Sequence, residues 1–195
     1  MSRWAMVADL RRCAGCQTCT AACKVAHANP PWVQWRWVVD FEIGEFPDVW
    51  RAFVPVGCQH CDAPPCVEVC PTGATFKRRD GIVVIDYDKC MGCSYCTVAC
   101  PYQARYKVEE QSYAYGDPME SEIAAYDPKR IGVATKCTFC FNRIDSGLAK
   151  GLTPGVDPEA TPVCVNSCIG DALYFGDLED PERKVSRLLR EHESF

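Results

Sequence analysis

The chain has 195 residues, of which 48% are hydrophobic and 24% are charged, and its formal net charge is −5 at neutral pH. No apolar run approaches the roughly 18 residues that a membrane-spanning helix needs. The negative charge and the lack of any basic run argue against a nucleic-acid-binding protein. The composition and the lack of a long apolar run predict a soluble protein. The sequence has 16 cysteines but only three histidines, which indicates that its chemistry depends on sulfur.

Short elements separate groups of cysteines along the chain. A strand is predicted at "WAMVAD", residues 4–9, and a tryptophan-rich hairpin turning near Gly44 at residues 31–53. The segment "TGATFKRRDGIVVIDYDKC" predicts a strand, an Asp-Gly turn and a second strand. A polar excursion follows at residues 107–130, and "ALYFGD", residues 172–177, predicts a further short strand.

The tail, residues 181–195, is predicted to be helical. Asp180 precedes Pro181, which suits a helix cap followed by the first helical position. Val185, Leu188 and Leu189 would then line one face of this helix.

The cysteines form four runs of four, and none is left over. The runs are Cys13, Cys16, Cys19 and Cys23; Cys58, Cys61, Cys66 and Cys70; Cys90, Cys93, Cys96 and Cys100; and Cys137, Cys140, Cys164 and Cys168. The third run, "CMGCSYCTVACP", is a literal match to C-x2-C-x2-C-x3-C-P, the run of bacterial two-cluster ferredoxins, in which the fourth cysteine ligates the other cluster.

Two other kinds of cysteine site fit less well. A disulfide framework suits a small secreted domain, and nothing in this sequence indicates secretion. A structural zinc site needs two C-x-x-C pairs separated by a longer loop, which describes the fourth run alone. Iron–sulfur clusters are therefore the favoured interpretation.

The crossed ligation of such runs means that they must pair. The second and third runs are contiguous and both end in Cys-Pro, so they predict one compact ferredoxin-like module; the first and fourth runs pair by elimination. The four predicted sets are Cys58, Cys61, Cys66 with Cys100; Cys90, Cys93, Cys96 with Cys70; Cys13, Cys16, Cys19 with Cys168; and Cys137, Cys140, Cys164 with Cys23.

One module would thus be inserted inside the other. The predicted fold class is α+β, with two bacterial-ferredoxin-like modules, small antiparallel sheets, short helices and long loops. The predicted parts are residues 1–30 plus 131–180 for the split module, 31–53 for the aromatic hairpin, 54–106 for the contiguous module, 107–130 for the connecting excursion and 181–195 for the tail. Lys24 and Ile169 stand where a proline would complete the bacterial pattern.

Several stretches together resemble a known family, and they cover the chain from about Trp4 to Pro181. They are "CAGCQTCTAACK", "CQHCDAPPCVEVCPTGA", "CMGCSYCTVACPYQAR", "KCTFCFNRIDSGL" and "YFGDLEDP". They are similar to the four-cluster electron-transfer subunit of the dimethyl-sulfoxide-reductase superfamily, of the polysulfide, thiosulfate and arsenate reductase type. The lengthened loop of the fourth run is also similar to subunits associated with phenylacetyl-CoA:acceptor oxidoreductases.

The resemblance implies four [4Fe–4S] clusters, no catalytic residue in this chain, and two partners. One partner is a molybdenum or tungsten bis-pterin catalytic subunit, and the other is a quinone-reactive subunit in the membrane. The chain would then be peripheral to the membrane, with the cytoplasmic face favoured by the lack of a signal segment and the periplasmic face reached by co-export with a partner. The alternative function is a free soluble polyferredoxin that serves several redox enzymes.

Residues outside the cysteine runs carry weaker signals. The hairpin contains Trp32, Trp35, Trp37 and Trp50, which predict either a lid over a small core or a docking surface. His60, inside "CQHC", is interpreted as a neighbour of a cluster rather than a ligand. Lysines next to the runs, Lys24, Lys89 and Lys136, are expected to offset cluster charge, because each oxidised cubane with four thiolates carries about −2.

Overall fold

A computed structural model describes residues 2–192 of the chain. The strands are β1 Trp4–Ala8, β2 Arg36–Glu45, β3 Asp48–Gly57, β4 Thr75–Lys77, β5 Val83–Ile85, β6 Tyr106–Lys107, β7 Ala134–Thr135 and β8 Leu173–Asp177. The helices are α1 Thr18–His27, α2 Pro65–Glu68, α3 Tyr95–Val98, α4 Glu120–Ala125, α5 Phe141–Ala149, α6 Val163–Asn166 and α7 Lys184–Glu191. Single 3-10 turns lie at Pro128–Arg130 and Pro158–Ala160.

The described strands pair into two-stranded sheets: β1 with β8, β2 with β3, β4 with β5, and β6 with β7. The β1–β8 pair is antiparallel, with Trp4 opposite Asp177 and Ala8 opposite Leu173. The β4–β5 pair is antiparallel around the Asp80-Gly81 turn. These observations confirm the small antiparallel sheets predicted at both ends of the chain and between the second and third cysteine runs.

The chain divides into two units. The first unit comprises residues 1–22, 36–56 and 140–195, and the second comprises residues 23–35 and 57–139. The predicted insertion of one ferredoxin-like module in the other, with its boundaries, stays a prediction.

The core of the first unit is built on β8. Leu173 is buried together with Cys19, Val38 and Cys164, and partly buried side chains such as Met6 and Phe53 pack against this group. Helix α7 covers the same strand, since Val185 is fully buried and an added Cβ at Gly176 would lie 3.0 Å from its side chain. Cysteine side chains are therefore part of the hydrophobic core itself.

The core of the second unit follows the same principle. Val83 of β5 is buried with Cys66 of α2, Cys96 of α3 and Ala134 of β7. Both units are small, and a small unit buries a modest share of its apolar surface. Because cysteine side chains form part of both cores, we expect whatever they bind to contribute to folding.

The C-terminal helix begins later than predicted. Helix α7 starts at Lys184, not at Pro181, and Arg183 before it is extended, with φ −68° and ψ 145°. The Asp180 carboxylate accepts hydrogen bonds from the Glu182 N–H at 3.0 Å and from Arg183 Nε at 2.8 Å. These bonds stabilise a turn over the residues that would have formed the first helical turn. Residues 193–195 of the predicted tail lie outside the described residues.

The β2–β3 hairpin turns at Phe46-Pro47. Val38, near its base, is buried, whereas residues 40–51 are exposed along their whole length. In the second unit, Trp35 is buried and its Nε1 donates to Thr135 Oγ1 at 3.3 Å. Trp32 and Trp50 are exposed, so a buried packing role fits Trp35 and not these two.

None of the described helices is long and apolar enough to cross a membrane.

Candidate iron–sulfur cluster sites

The same local structure recurs in all four cysteine runs. The third cysteine of each run is buried and is the second residue of a helix. These residues are Cys19 in α1, Cys66 in α2, Cys96 in α3 and Cys164 in α6. The fourth cysteine comes four residues later, inside α1 in the first run and two residues beyond the end of the short helix in the others.

The backbone between the first and second cysteines also repeats. The residue before the second cysteine has a positive φ in every run: +68° at Gly15, +46° at His60, +70° at Gly92 and +52° at Phe139. Turns that contain left-handed residues can direct neighbouring N–H groups toward one concave side, as in many phosphate and Fe–S sites. The shared backbone conformation is therefore compatible with loops that face an anionic group.

Two of these positions leave no room for a side chain. A Cβ added at Gly15 would lie 2.4 Å from the Phe53 ring, and one added at Gly92 would lie 2.1 Å from the carbonyl oxygen of Gly132. Both distances are shorter than any real Cβ contact. Glycine is thus required at position 92 by space as well as by φ, whereas at position 15 a side chain would displace the Phe53 ring.

The first unit contains a cavity, here called cavity one, lined by Cys13, Cys16, Cys19 and Cys168. Its empty volume, including the part open to solvent, is about 360 Å³. Cys13 follows β1, Cys19 lies in the first turn of α1, and Cys168 follows α6. The structure thus brings together the four cysteines of one predicted set.

The Gln17 side chain fixes the loop around cavity one. Its Nε2 donates to the Val38 carbonyl at 2.8 Å, and its Oε1 accepts the Val38 N–H at 3.2 Å and the Thr20 hydroxyl at 2.7 Å. One amide therefore joins the cysteine loop, helix α1 and strand β2. On the other side of the cavity, the Ala172 N–H donates to Cys168 Sγ at 3.2 Å.

The second unit contains a matching cavity, here called cavity two, lined by Cys58, Cys61, Cys66 and Cys100. Its empty volume, measured in the same way, is about 320 Å³. This is again the full membership of one predicted set. Two separate units thus present four cysteines to spaces of similar size.

Buried basic and aromatic side chains lie close to cavity two. Arg105 Nη2 donates to Cys66 Sγ at 3.1 Å, and its Nη1 donates to Thr75 Oγ1 at 3.2 Å. His60 accepts the Val83 N–H at Nδ1, 3.1 Å away, and its ring lies 3.8 Å from the ring of Phe139. Through its Nδ1, His60 thus joins the loop of the second cysteine run to strand β5. This role fits its interpretation as a neighbour of the cluster site.

Lys136 is the largest fully buried side chain of the described residues, with 1% of its surface exposed. Its Nζ donates to the carbonyl oxygens of Val83 and Cys137, the latter at 2.8 Å. Burial lowers the pKa of Lys136, and the thiolate charges of Cys58 and Cys137 oppose that shift. Lys24 and Lys89 differ from it: Lys24 Nζ donates to three carbonyl groups, and Lys89 is exposed and paired with Asp86 at 3.1 Å.

The thiols differ in how readily they ionise. Burial raises the pKa of Cys66, against the opposing charge of Arg105, and burial likewise raises the pKa of Cys19, against Arg36. Cys70 is the opposite case. Burial raises its pKa, but hydrogen bonds from the Thr75 N–H and from Thr72 outweigh burial and bring the pKa to about 7.

The two remaining sets are less fully described by the structure. Cys90 and Cys96 belong to the same core group of the second unit, Cys93 is exposed, and Cys70 accepts the Thr75 N–H at 3.4 Å. Of the last set, Cys23 and Cys137 fall in the second unit and Cys140 and Cys164 in the first. Among the described residues, no group of three or more His, Cys, Asp or Glu is placed to hold a single metal ion.

The residues of cavity two fit an anionic iron–sulfur cluster. Neither Arg105 nor Lys136 forms an ion pair with a carboxylate among the described residues. A buried charge is costly unless it is paired. The thiolates of Cys58 and Cys66, together with the negatively charged cluster that they would hold, provide the missing counter-charge.

Sequence reasoning misses several residues of these sites. Gln17 and Arg105 do not stand out, because a glutamine or arginine near a cysteine run has no distinctive spacing. The positive φ at His60 and Phe139 also escapes it, since neither residue favours that conformation. The available signal is positional: both stand where the first and third runs have glycine.

Comparisons with known proteins agree with this geometry. Two family models match, each described as a 4Fe-4S dicluster domain, one over residues 49–116 and the other over residues 12–75. The match over residues 49–116 contains the second and third cysteine runs. The match over residues 12–75 contains the first and second cysteine runs. The pairing of the first run with the fourth therefore stays a prediction.

The chain is also similar to subunits of several reductases. It is 42% identical to a subunit of the selenate reductase of Mesobacillus selenatarsenatis, over 96% of this chain and 64% of that protein. It is 39% identical to a putative dimethyl sulfoxide reductase iron–sulfur subunit of Halobacterium salinarum, over 100% of this chain and 73% of that one. It is 34% identical to the arsenate respiratory reductase iron–sulfur subunit of a Shewanella species, over 97% of this chain and 88% of that protein.

The chain thus spans a little under two thirds of the length of the selenate reductase subunit and more of the other two. The repeated cysteine geometry, the dicluster family models and these identities lead to one assignment. The chain belongs to the family of iron–sulfur subunits of dimethyl-sulfoxide-reductase-type complexes.

Proposed function

We propose that the chain is an electron-transfer subunit that carries four [4Fe–4S] clusters and has no substrate of its own. The observation that carries this proposal is the pair of cavities, each lined by four cysteines in separate units with the same loop backbone. Iron–sulfur clusters bound by four thiolates accept and release single electrons. The chain's own residues would hold the clusters and set the charge around them.

The four predicted cysteine sets are proposed as the four cluster sites. Cavity one supports the set of Cys13, Cys16, Cys19 and Cys168, and cavity two supports the set of Cys58, Cys61, Cys66 and Cys100. The sets of Cys90, Cys93, Cys96 with Cys70 and of Cys137, Cys140, Cys164 with Cys23 rest on the repeated spacing. The repeated helix position of the third cysteine supports treating all four runs alike.

The proposed partners are a molybdenum or tungsten bis-pterin catalytic subunit and a quinone-reactive membrane subunit. The names of the relatives support a catalytic partner, since each is a subunit of a selenate, dimethyl sulfoxide or arsenate reductase. A chain that only relays electrons needs one donor and one acceptor. We propose that it is held at the membrane through the quinone-reactive partner.

The alternative function, a free polyferredoxin, makes a different prediction in solution. A tagged chain, purified anaerobically in mild detergent, should bring with it a large subunit that contains molybdenum or tungsten by elemental analysis. In stopped-flow experiments a menaquinol analogue should bleach the iron–sulfur absorption of this complex, but not that of the isolated chain. A chain that purifies without either metal, and that exchanges electrons directly with small soluble redox proteins, would contradict the relay.

A further inference from the structure

Two buried basic side chains lie near cavity two, and the proposed function does not by itself require them: Arg105 lines the cavity, and Lys136 donates to the carbonyl of Val83, which also lines it. Arg105 is 3% exposed and Lys136 is 1% exposed. Arg105 holds Cys66 Sγ at 3.1 Å through one guanidinium nitrogen. Lys136 Nζ is fixed by the carbonyl oxygens of Val83 and Cys137.

The surroundings of these cations contain few negative charges. Lys136 interacts electrostatically with the thiols of Cys58, Cys137 and Cys66, and with the like charge of Arg105. Two like charges close together in a buried environment repel each other, and a low dielectric strengthens that repulsion. Negative charge on the cysteine sulfurs and on their cluster therefore stabilises both side chains in their charged forms.

Positive charge beside a cluster favours its reduced state, which is the more negative of its two oxidation states. When an electron is added to a cluster held by Cys58, Cys61, Cys66 and Cys100, its net charge becomes more negative by one. A cation held close by in a low dielectric stabilises the reduced state more than the oxidised state. Hydrogen bonds to ligand sulfur, such as the one from Arg105 to Cys66, act in the same direction.

We propose that Arg105 and Lys136 raise the reduction potential of the cluster in cavity two, acting as a pair of buried charges. This inference rests on the proposed function, because it requires a cluster in that cavity. It gives the two residues a positioning and tuning role and no part in binding iron. The role of Lys136 depends on its burial and not on its place beside a cysteine.

Lys89 provides a matched control for that last point. Like Lys136, it directly precedes the first cysteine of a run. Its side chain, however, is 66% exposed and is paired with Asp86 at 3.1 Å. Water and the aspartate screen this charge, so replacing it should leave the potentials unchanged.

The test is a potentiometric titration of the anaerobic complex, followed by electron paramagnetic resonance, in which a Cys100→Ser variant identifies the signal of cavity two. In Lys136→Met and in Arg105→Gln, the ratio of reduced to oxidised cluster at the wild-type midpoint should fall about tenfold, which is about 59 mV for a one-electron couple. Arg105→Lys keeps the charge, so in this variant the ratio of reduced to oxidised cluster should fall less than in Arg105→Gln. Lys89→Met should titrate like the wild type.

Different outcomes refute different claims. Full iron content with unchanged midpoints in Lys136→Met and Arg105→Gln would overturn this inference and leave the proposed function standing. Wild-type protein with zinc, or without iron and sulfide, would overturn the proposed function. If Lys136→Met loses iron, the comparison of Arg105→Gln with Arg105→Lys decides: a lower midpoint in the glutamine variant supports the charge effect, and equal midpoints refute it.

Discussion

The glycine between the first two cysteines of the third run offers a sharp test of the loop geometry. In Gly92→Ala, the new Cβ would lie 2.1 Å from the carbonyl oxygen of Gly132, so the loop must move by about 0.9 Å to reach even 3.0 Å. The left-handed backbone adds about 1–2 kcal/mol for any residue with a Cβ. Metal sites tolerate shifts in ligand distance of about 0.2 Å. The displacement therefore exceeds what Cys90 and Cys93 can absorb while holding a cluster.

Gly116→Ala is the matched control for this change. Gly116 also has a positive φ, +86°, but no heavy atom lies within 4 Å of its added Cβ. It should therefore show the backbone cost alone, a lowering of the melting temperature by about 2–8 °C. It should keep its full iron content.

Iron and acid-labile sulfide analysis of the anaerobic proteins, together with thermal unfolding, compares the two variants. Gly92→Ala should lose about four iron atoms per chain, one cubane, and unfold at a lower temperature than Gly116→Ala. If Gly92→Ala retains all its iron and melts together with Gly116→Ala, the argument from loop geometry is wrong.

Three further outcomes are expected. Cys93→Ser and Cys100→Ser should perturb different clusters in paramagnetic resonance spectra, because the crossed ligation assigns them to different sets; loss of the same signal in both variants would contradict the pairing. Gln17→Ala should lower the free energy of unfolding in denaturant by about 1–3 kcal/mol, because it leaves the Val38 N–H and carbonyl unpaired, and an unchanged transition would show that the amide bridge is dispensable. Anaerobic removal of iron with a chelator should abolish the circular dichroism of folded protein, since Cys19 and Cys66 lie in the two core groups; persistence of the native spectrum would refute a structural role for the clusters.

Much of the secondary structure near the clusters can be predicted because it is encoded locally. The strands β1 and β8 coincide with "WAMVAD" and "ALYFGD", and β4 and β5 flank the Asp80-Gly81 turn as their sequence predicts. The β-branched run Val83–Ile85 and the Asp80-Gly81 turn predict a hairpin from local sequence alone. The hairpin turn is predicted near Gly44 and lies close by, at Phe46-Pro47.

The features that escape prediction depend on contacts between distant parts of the chain. Arg105 reaches Cys66, which is 39 residues away, and Lys136 reaches Val83, which is 53 residues away. A single sequence contains no local pattern for such contacts. The late start of α7 has another cause: the prediction that Asp180 caps the helix is wrong, because its carboxylate accepts the Glu182 N–H within a turn and the residue before the helix is Arg183.

The backbone of the cysteine loops falls between these two cases. Glycine at positions 15 and 92 signals a left-handed residue, but His60 and Phe139 adopt the same conformation without that signal. Their φ angles are +46° and +52°, although neither residue type favours a left-handed backbone. Alignment of the four runs with one another exposes this equivalence.

The central claim is that the sixteen cysteines hold four cubane clusters. Its most direct test is the content of iron, acid-labile sulfide and zinc in the chain purified anaerobically with its partners, after subtraction of any metal in those partners. Four complete cysteine sets predict about sixteen iron and sixteen sulfide per chain, with no zinc. A chain that contains zinc, or only about eight iron atoms, would contradict the account.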